Sequence, residues 1–191
     1  WLSGRMRQGY SKTSTARALS SMRHLFRYFE REELMENSAI FHVQMPKLNK
    51  PLPKALNPEQ SLQAMDAMGD LHSEPWLGKR DMALLMLIYG CGLRISEALS
   101  LSVDDLLSAE GSLRIRGKGN KERQVPLLPM VAHALLEYLR LCPYHQSGRR
   151  ETELFLGARG KKLHPRVFQQ QLAHIRSLLG LPETATPHAF R

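Results

Sequence analysis

An arginine and a glutamate three residues apart, Arg94 and Glu97, interrupt the apolar stretch GCGLRISEALSL. The run leading into them, Met82 to Gly90, is dense enough in apolar side chains for a buried helix. A guanidinium beside such a core needs a partner and hydrogen bonds, because an unpaired buried charge is costly. Glu97 therefore either neutralises Arg94 or joins it in facing an anion from outside. A second candidate is the turn GKGNK between Arg116 and Arg123. Its two glycines remove side-chain bulk and let backbone and lysines approach another surface, although ordinary hairpin turns with solvated lysines use the same residues. The third is TPHAFR, where His188 and Arg191 stand three apart behind a capping Thr186 and Pro187 in the first helical position. A phosphate there would meet free N–H groups, a histidine and an arginine together, although such a pair also serves structural roles.

The elements that must carry these residues can be read from periodicity and breakers. Leu19, Met22, Phe26 and Phe29 recur at helical steps, and the spacing predicts a helix from Ser11 to about Met35. On it Ser14, Arg17, Ser21 and His24 form a polar stripe, which suits either a solvated face or a face laid on DNA phosphates. Pro46, Pro51, Pro53 and Pro58 preclude a continuous helix and mark a basic linker containing Lys50. Asn57 caps a helix running to about Met68, and another spans about Pro75 to Tyr89. After a glycine-containing break a short helix runs through Ile95 to Leu101. The alternation in SLRIRG and ERQVPL predicts a β-hairpin. Further helices are expected at about Pro129 to Leu141 and Pro165 to Leu179, with a short strand at ELFLG between them. The fold class is thus mainly α with a small antiparallel sheet (α+β). Residues 1–44 are expected to form a small, partial helical domain, 45–57 the linker, and 58–191 a second, mainly helical domain.

Charge narrows the partner. The 191 residues hold 27 Lys plus Arg against 18 Asp plus Glu, a formal net charge of +9. Such basicity raises the case for a polyanion, most often nucleic acid. Five basic residues and one acid lie between Leu113 and Arg123, whereas Glu30, Glu32, Glu33 and Glu36 gather elsewhere. No apolar run approaches the ~20 residues of a membrane span. Cys91 and Cys142 lie far apart, as expected of reduced thiols in a cytosolic protein. The eight histidines, His42, His72, His133 and His145 among them, show no metal-ligand spacing, and no cofactor is expected.

GLRISEAL, RGKGNKERQVPL and HAFR, in that order and behind a basic helical segment, resemble the tyrosine recombinase (phage integrase) family, and within it the Xer type of site-specific recombinase. The resemblance covers nearly the whole chain. It implies an N-terminal helical core-binding domain, a tyrosine-recombinase catalytic domain, and site-specific DNA recombination through a 3′-phosphotyrosyl intermediate. By the same resemblance Arg94 and Arg191 would hold the non-bridging oxygens of the scissile phosphate, and Glu97 would support the site. Lys118 would protonate the departing 5′-oxygen, and His188 would act as general acid and base. DNA contacts are expected from Lys12, Ser14, Arg17, Ser21, His24, Lys50, Arg116, Lys121 and Arg123. The implied partners are double-stranded DNA and a homo- or hetero-tetramer, in the bacterial cytoplasm at the nucleoid.

The family nucleophile is a tyrosine downstream of the His-x-x-Arg motif. The five tyrosines here (Tyr10, Tyr28, Tyr89, Tyr138, Tyr144) all precede His188. The expectation is a chain cut at both ends that binds DNA and is inactive alone, within a catalytically competent longer protein. The alternative from another class is a non-catalytic, sequence-specific DNA-binding protein on the same fold.

Overall fold

The computed structural model describes residues 1–48, 56–117, 121–146 and 152–190. The chain divides into two compact units, Trp1–Leu52 and Pro53–Arg191. In the first, α1 (Leu2–Arg7) precedes α2 (Lys12–Arg31). Ser11 caps α2, its hydroxyl oxygen accepting from the Ser14 amide at 3.1 Å. Thr15, Ala16 and Leu19 form the buried stripe of α2. The helix stops at Arg31 rather than near Met35, because Glu33 adopts a left-handed backbone at φ 55°. Arg23 of α2 ties down the next segment: its guanidinium donates to the carbonyls of Ile40, Phe41 and Val43, in and just after α3 (Ala39–His42).

The second unit is built around α5 (Pro75–Cys91), flanked by α4 (Pro58–Gly69) and α8 (Pro129–Leu141). Asn57 and Gln60 cap α4 reciprocally, each side chain accepting from the other's amide. Ala83, Leu84, Leu85, Leu87 and Ile88 of α5 are wholly buried, so the helix is apolar nearly all round. It can lie close to α4 because position 78 is glycine: a Cβ there would collide with the Gly69 carbonyl. Gly78→Ala is therefore expected to lower the stability of this unit by about 1–3 kcal/mol. An unchanged urea midpoint would show that the end of α4 yields freely.

Helix α5 ends where Gly92 turns left-handed at φ 61°, the conformation glycine adopts without a Cβ penalty. Beyond it the chain forms two short helices rather than one: α6 (Ile95–Ala98) and α7 (Val103–Leu107). Ser102 restarts the helix with its own cap, accepting from the Asp105 amide while Asp105 accepts from Ser102. The hairpin forms as β1 (Ser112–Arg116) and β2 (Glu122–Pro126), antiparallel, with Leu113 opposite Val125 and Ile115 opposite Arg123. Leu113 and Ile115 are buried and anchor its inner face.

The expected strand at ELFLG needs correction. ELFLG is not a strand of a sheet among the described residues; it makes isolated bridges, Ser102 with Glu153 and Leu156 with Lys162. The chain reverses at Gly157 to Gly160 and brings only single residues into register. Residues 187–190 form a turn closed by the Ala189 amide on the Thr186 carbonyl at 2.8 Å. The remaining elements are α9 (Pro143–Gln146) and α10 (Pro165–Leu178). The architecture is mostly helical with a two-stranded antiparallel sheet.

Candidate active site

Arg94 sits in extended backbone immediately before α6, with φ −71° and ψ 148°. That position places Glu97 one turn later, close enough to reach back. One Glu97 oxygen, Oε2, accepts the Arg94 backbone N–H at 2.8 Å. The other, Oε1, accepts from Arg94 Nη1 at 2.9 Å. The carboxylate is almost completely buried, with its side chain 6% exposed, whereas the Arg94 side chain is 56% exposed. Arg94 spends one guanidinium N–H on Glu97, and its Nε and Nη2 bond to no other described residue. Arg94 lines an open depression together with Ser96, Glu97, Ser100, Arg116 and Gly117. A fork of donors that is charged at all relevant pH values, held from behind and free in front, is suited to grip a phosphate.

The second arginine on Glu97 is Arg123 from β2. Its Nη1 donates to Oε1 at 3.0 Å and its Nη2 to Oε2 at 2.9 Å, a parallel two-bond pairing. Arg123 is the main cause holding the Glu97 carboxyl down to about 2, with the Arg94 backbone and side chain adding to it and burial opposing. The same pairing raises the Arg123 guanidinium above its ordinary value. From the sequence, Arg123 was expected among the DNA contacts. Its inward position follows from its parity with Val125 along β2, opposite the buried Ile115.

The outward face of the hairpin carries exposed charge. Arg116 pairs with Glu122 at 3.2 Å and Arg114 approaches the same carboxylate at 4.0 Å, both arginines more than two-thirds exposed. Pairs this exposed contribute little stability. Lys121 is exposed beside them, and its carbonyl accepts the Gly117 amide at 2.8 Å. His188 is exposed in the turn at 187–190. Lys50, Lys118 and Arg191 lie outside the described residues. Tyr89, Tyr138 and Tyr144 do not line the Arg94 depression. Burial pushes the Tyr138 hydroxyl above its ordinary range, where it accepts the Leu156 amide at 3.0 Å.

In the first unit Lys12, Arg17, Ser21 and His24 are exposed along α2 and Ser14 is half-buried. Two of the stripe's hydroxyls already have partners. Ser14 accepts from Arg5 Nη2 at 3.3 Å, and Ser21 donates back to the Arg17 carbonyl at 3.2 Å. The charged members Lys12 and Arg17 carry the stripe's capacity for phosphate.

A charged cluster that sequence reasoning missed lies at the start of α5. Arg80 and Asp81, 2% and 0% exposed at their side chains, pair through two hydrogen bonds of 2.8 and 3.0 Å. Arg80 also donates to the Leu156 carbonyl at 2.9 Å, and His72 meets Asp81 at 2.8 Å. This network ties α5 to the segment after α9.

Residues 54–191, which contain Arg94, Glu97, the hairpin and His188, match the phage integrase family along their whole length. The chain belongs to that family. Among curated phage integrase relatives, the tyrosine recombinase XerC of Rhodospirillum centenum is 42% identical over 191 residues, all of this chain and 55% of its own length. XerC of Agrobacterium fabrum is 43% identical over 191 residues, again all of this chain and 60% of its length. The chain thus spans about three-fifths of these relatives. Among solved structures, XerH site-specific recombinase bound to palindromic difH substrate aligns with a TM-score of 0.72 at 23% identity, over 96% of this chain and 55% of that one. A lambda integrase tetramer bound to a Holliday junction aligns at 0.71 and 16% identity, over 99% of this chain and 52% of that one. These likenesses establish the integrase fold. Among the described residues, no helix is long and apolar enough to cross a membrane.

Proposed function

We propose that the protein is a tyrosine recombinase of the Xer type, which cuts and rejoins duplex DNA at specific sites. The observation that carries this reading is Arg94: a half-exposed guanidinium that lines an open depression, is held by a buried carboxylate through Nη1, and has Nε and Nη2 without a partner among the described residues. In this role Arg94 and Arg191 hold the two non-bridging oxygens of the scissile phosphate. They stabilise the charge that builds there as a tyrosine oxygen bonds to phosphorus and the bond to the 5′-oxygen breaks. Lys118 gives a proton to that departing oxygen, and His188 assists proton transfer. The 3′-phosphotyrosyl link stores the bond until a 5′-hydroxyl of a partner strand attacks it in reverse. On this reading residues 1–191 bind duplex DNA, and a tyrosine outside them completes the reaction. Lys12, Arg17, Lys50, Arg116 and Lys121 contribute phosphate contacts, and four protomers assemble on two sites. The domain division is that of a helical DNA-binding segment at 1–44, a linker at 45–57 and a catalytic body from 58. The role most consistent with the XerC relatives is resolution of chromosome dimers in the bacterial cytoplasm.

Two experiments test the reading. Duplex binding by residues 1–191 is expected to weaken steeply and linearly in log–log form with salt, by about 0.9 per phosphate neutralised. A flat response would remove DNA as the partner. A plasmid carrying two copies of the sequence that the full-length protein selects from a random duplex library is expected to yield recombinant circles. Binding without any recombinants would instead favour the non-catalytic regulator.

A further inference from the structure

We infer that Arg123 is a positioning residue that keeps Arg94 available for phosphate by occupying Glu97. The inference rests on the recombinase reading and goes beyond it, since it gives a hairpin residue a part in the site without contact to DNA. Glu97 accepts four hydrogen bonds at 2.8 to 3.0 Å, two from Arg94 and two from Arg123. A carboxylate has about four acceptor sites, so the set is full. Both Glu97 oxygens take an Arg123 nitrogen in the parallel geometry that fixes the plane of a carboxylate. Only one position is then left for the Arg94 guanidinium, which meets Glu97 through Nη1 alone. Without Arg123, the buried carboxylate would carry two open acceptor sites beside a second guanidinium. An anion so desolvated takes the nearest donors. Arg94 would turn into the two-bond pairing and withdraw donors from the depression. Arg123 thus limits how far Glu97 neutralises Arg94.

The fold aims Arg123 at this task. It lies opposite Ile115, on the face of the hairpin that also carries Leu113 and Val125 toward the core. Arg114 and Arg116 point the other way and remain mostly exposed. Any shift of the hairpin relative to α6 would pass through Arg123 to Glu97 and so to Arg94.

The test is a double-substitution cycle in the full-length protein. Its readout is the rate of covalent adduct formation at saturating protein on a nicked duplex of the selected sequence, with Kd and its salt slope measured separately. Arg123→Ala is expected to slow trapping about 10- to 100-fold, the scale on which loss of a supporting partner acts. Kd and salt slope are expected to stay as in the unaltered protein. In a Glu97→Gln background, the same change is expected to slow trapping by less than about threefold, because no anion remains to capture Arg94. Arg123→Lys, which keeps the charge but lacks the fork, is expected to be slowed as well and carries the test if the alanine form fails to fold. Unchanged trapping in both Arg123 variants would overturn the inference alone. So would a salt slope reduced by about one with additive effects in both backgrounds, the mark of a phosphate contact. Failure of the unaltered protein to form any adduct would overturn the recombinase reading and this inference with it.

Discussion

Arg94→Ala in the full-length protein is expected to lower covalent adduct formation by about 10³- to 10⁵-fold while largely sparing DNA affinity. The magnitude is that of removing an arginine that stabilises transition-state charge in phosphoryl transfer. Binding survives because the exposed charges of α2 and of the outer hairpin face are untouched by the change. The side chain's exposure makes the experiment clean, since Arg94 contributes little to the core. Truncation does leave Glu97 with only its Arg123 bonds and the Arg94 backbone N–H, which still satisfy it. Equal loss of binding and cleavage would mean that Arg94 serves to hold the duplex or the fold, and the catalytic assignment would fall.

Glu97→Ala is expected to act first on stability. The carboxylate is buried between two guanidiniums, and its removal leaves Arg123 partly buried beside Arg94 with no counterion. Breaking a buried pair by deleting one partner costs about 3–5 kcal/mol. Because the Arg123 side chain is 37% exposed, the lower end, about 3 kcal/mol, is the expected loss in urea denaturation. The pH dependence has a definite sign. The Glu97 carboxyl lies near 2 in the folded protein against its ordinary 4.5, so between these values the unfolded chain binds more protons. Its contribution is fully present above about pH 4.5 and is lost as the pH falls through about 2. The stability difference between the unaltered protein and Glu97→Gln is therefore expected to shrink as the pH falls from about 4.5 to about 2. A difference that stays constant from pH 2 to 6 would show that Glu97 is not held as an anion.

The residues of the candidate site were more legible than the contacts that organise them. Arg94 and Glu97 stood out because a charged pair at one-turn spacing interrupts an apolar run, a pattern local enough to read without tertiary structure. The Asn57 cap and the alternation of β1 and β2 were legible for the same reason. Arg123 was visible as a basic residue in a basic segment, which suggested DNA. Its parity with Val125 along β2 places it inward, but only the position of α6 supplies the carboxylate it meets. Arg80 and Asp81 were not singled out from the sequence, because their partners, the Leu156 carbonyl and His72, are supplied by tertiary packing. ELFLG looked like a strand since Leu154, Phe155 and Leu156 are all apolar. They are indeed fully buried, but burial of three residues does not provide a paired edge along their length.

The most direct test of the account is to incubate the full-length protein with a nicked duplex of its selected sequence and to analyse the product by denaturing electrophoresis and peptide mass mapping. The account predicts a covalent adduct, attached through a tyrosine to a 3′-phosphate, that forms with the unaltered protein and is lost with Arg94→Ala. A protein that binds the duplex tightly and forms no adduct, or one whose adduct survives Arg94→Ala undiminished, would contradict it.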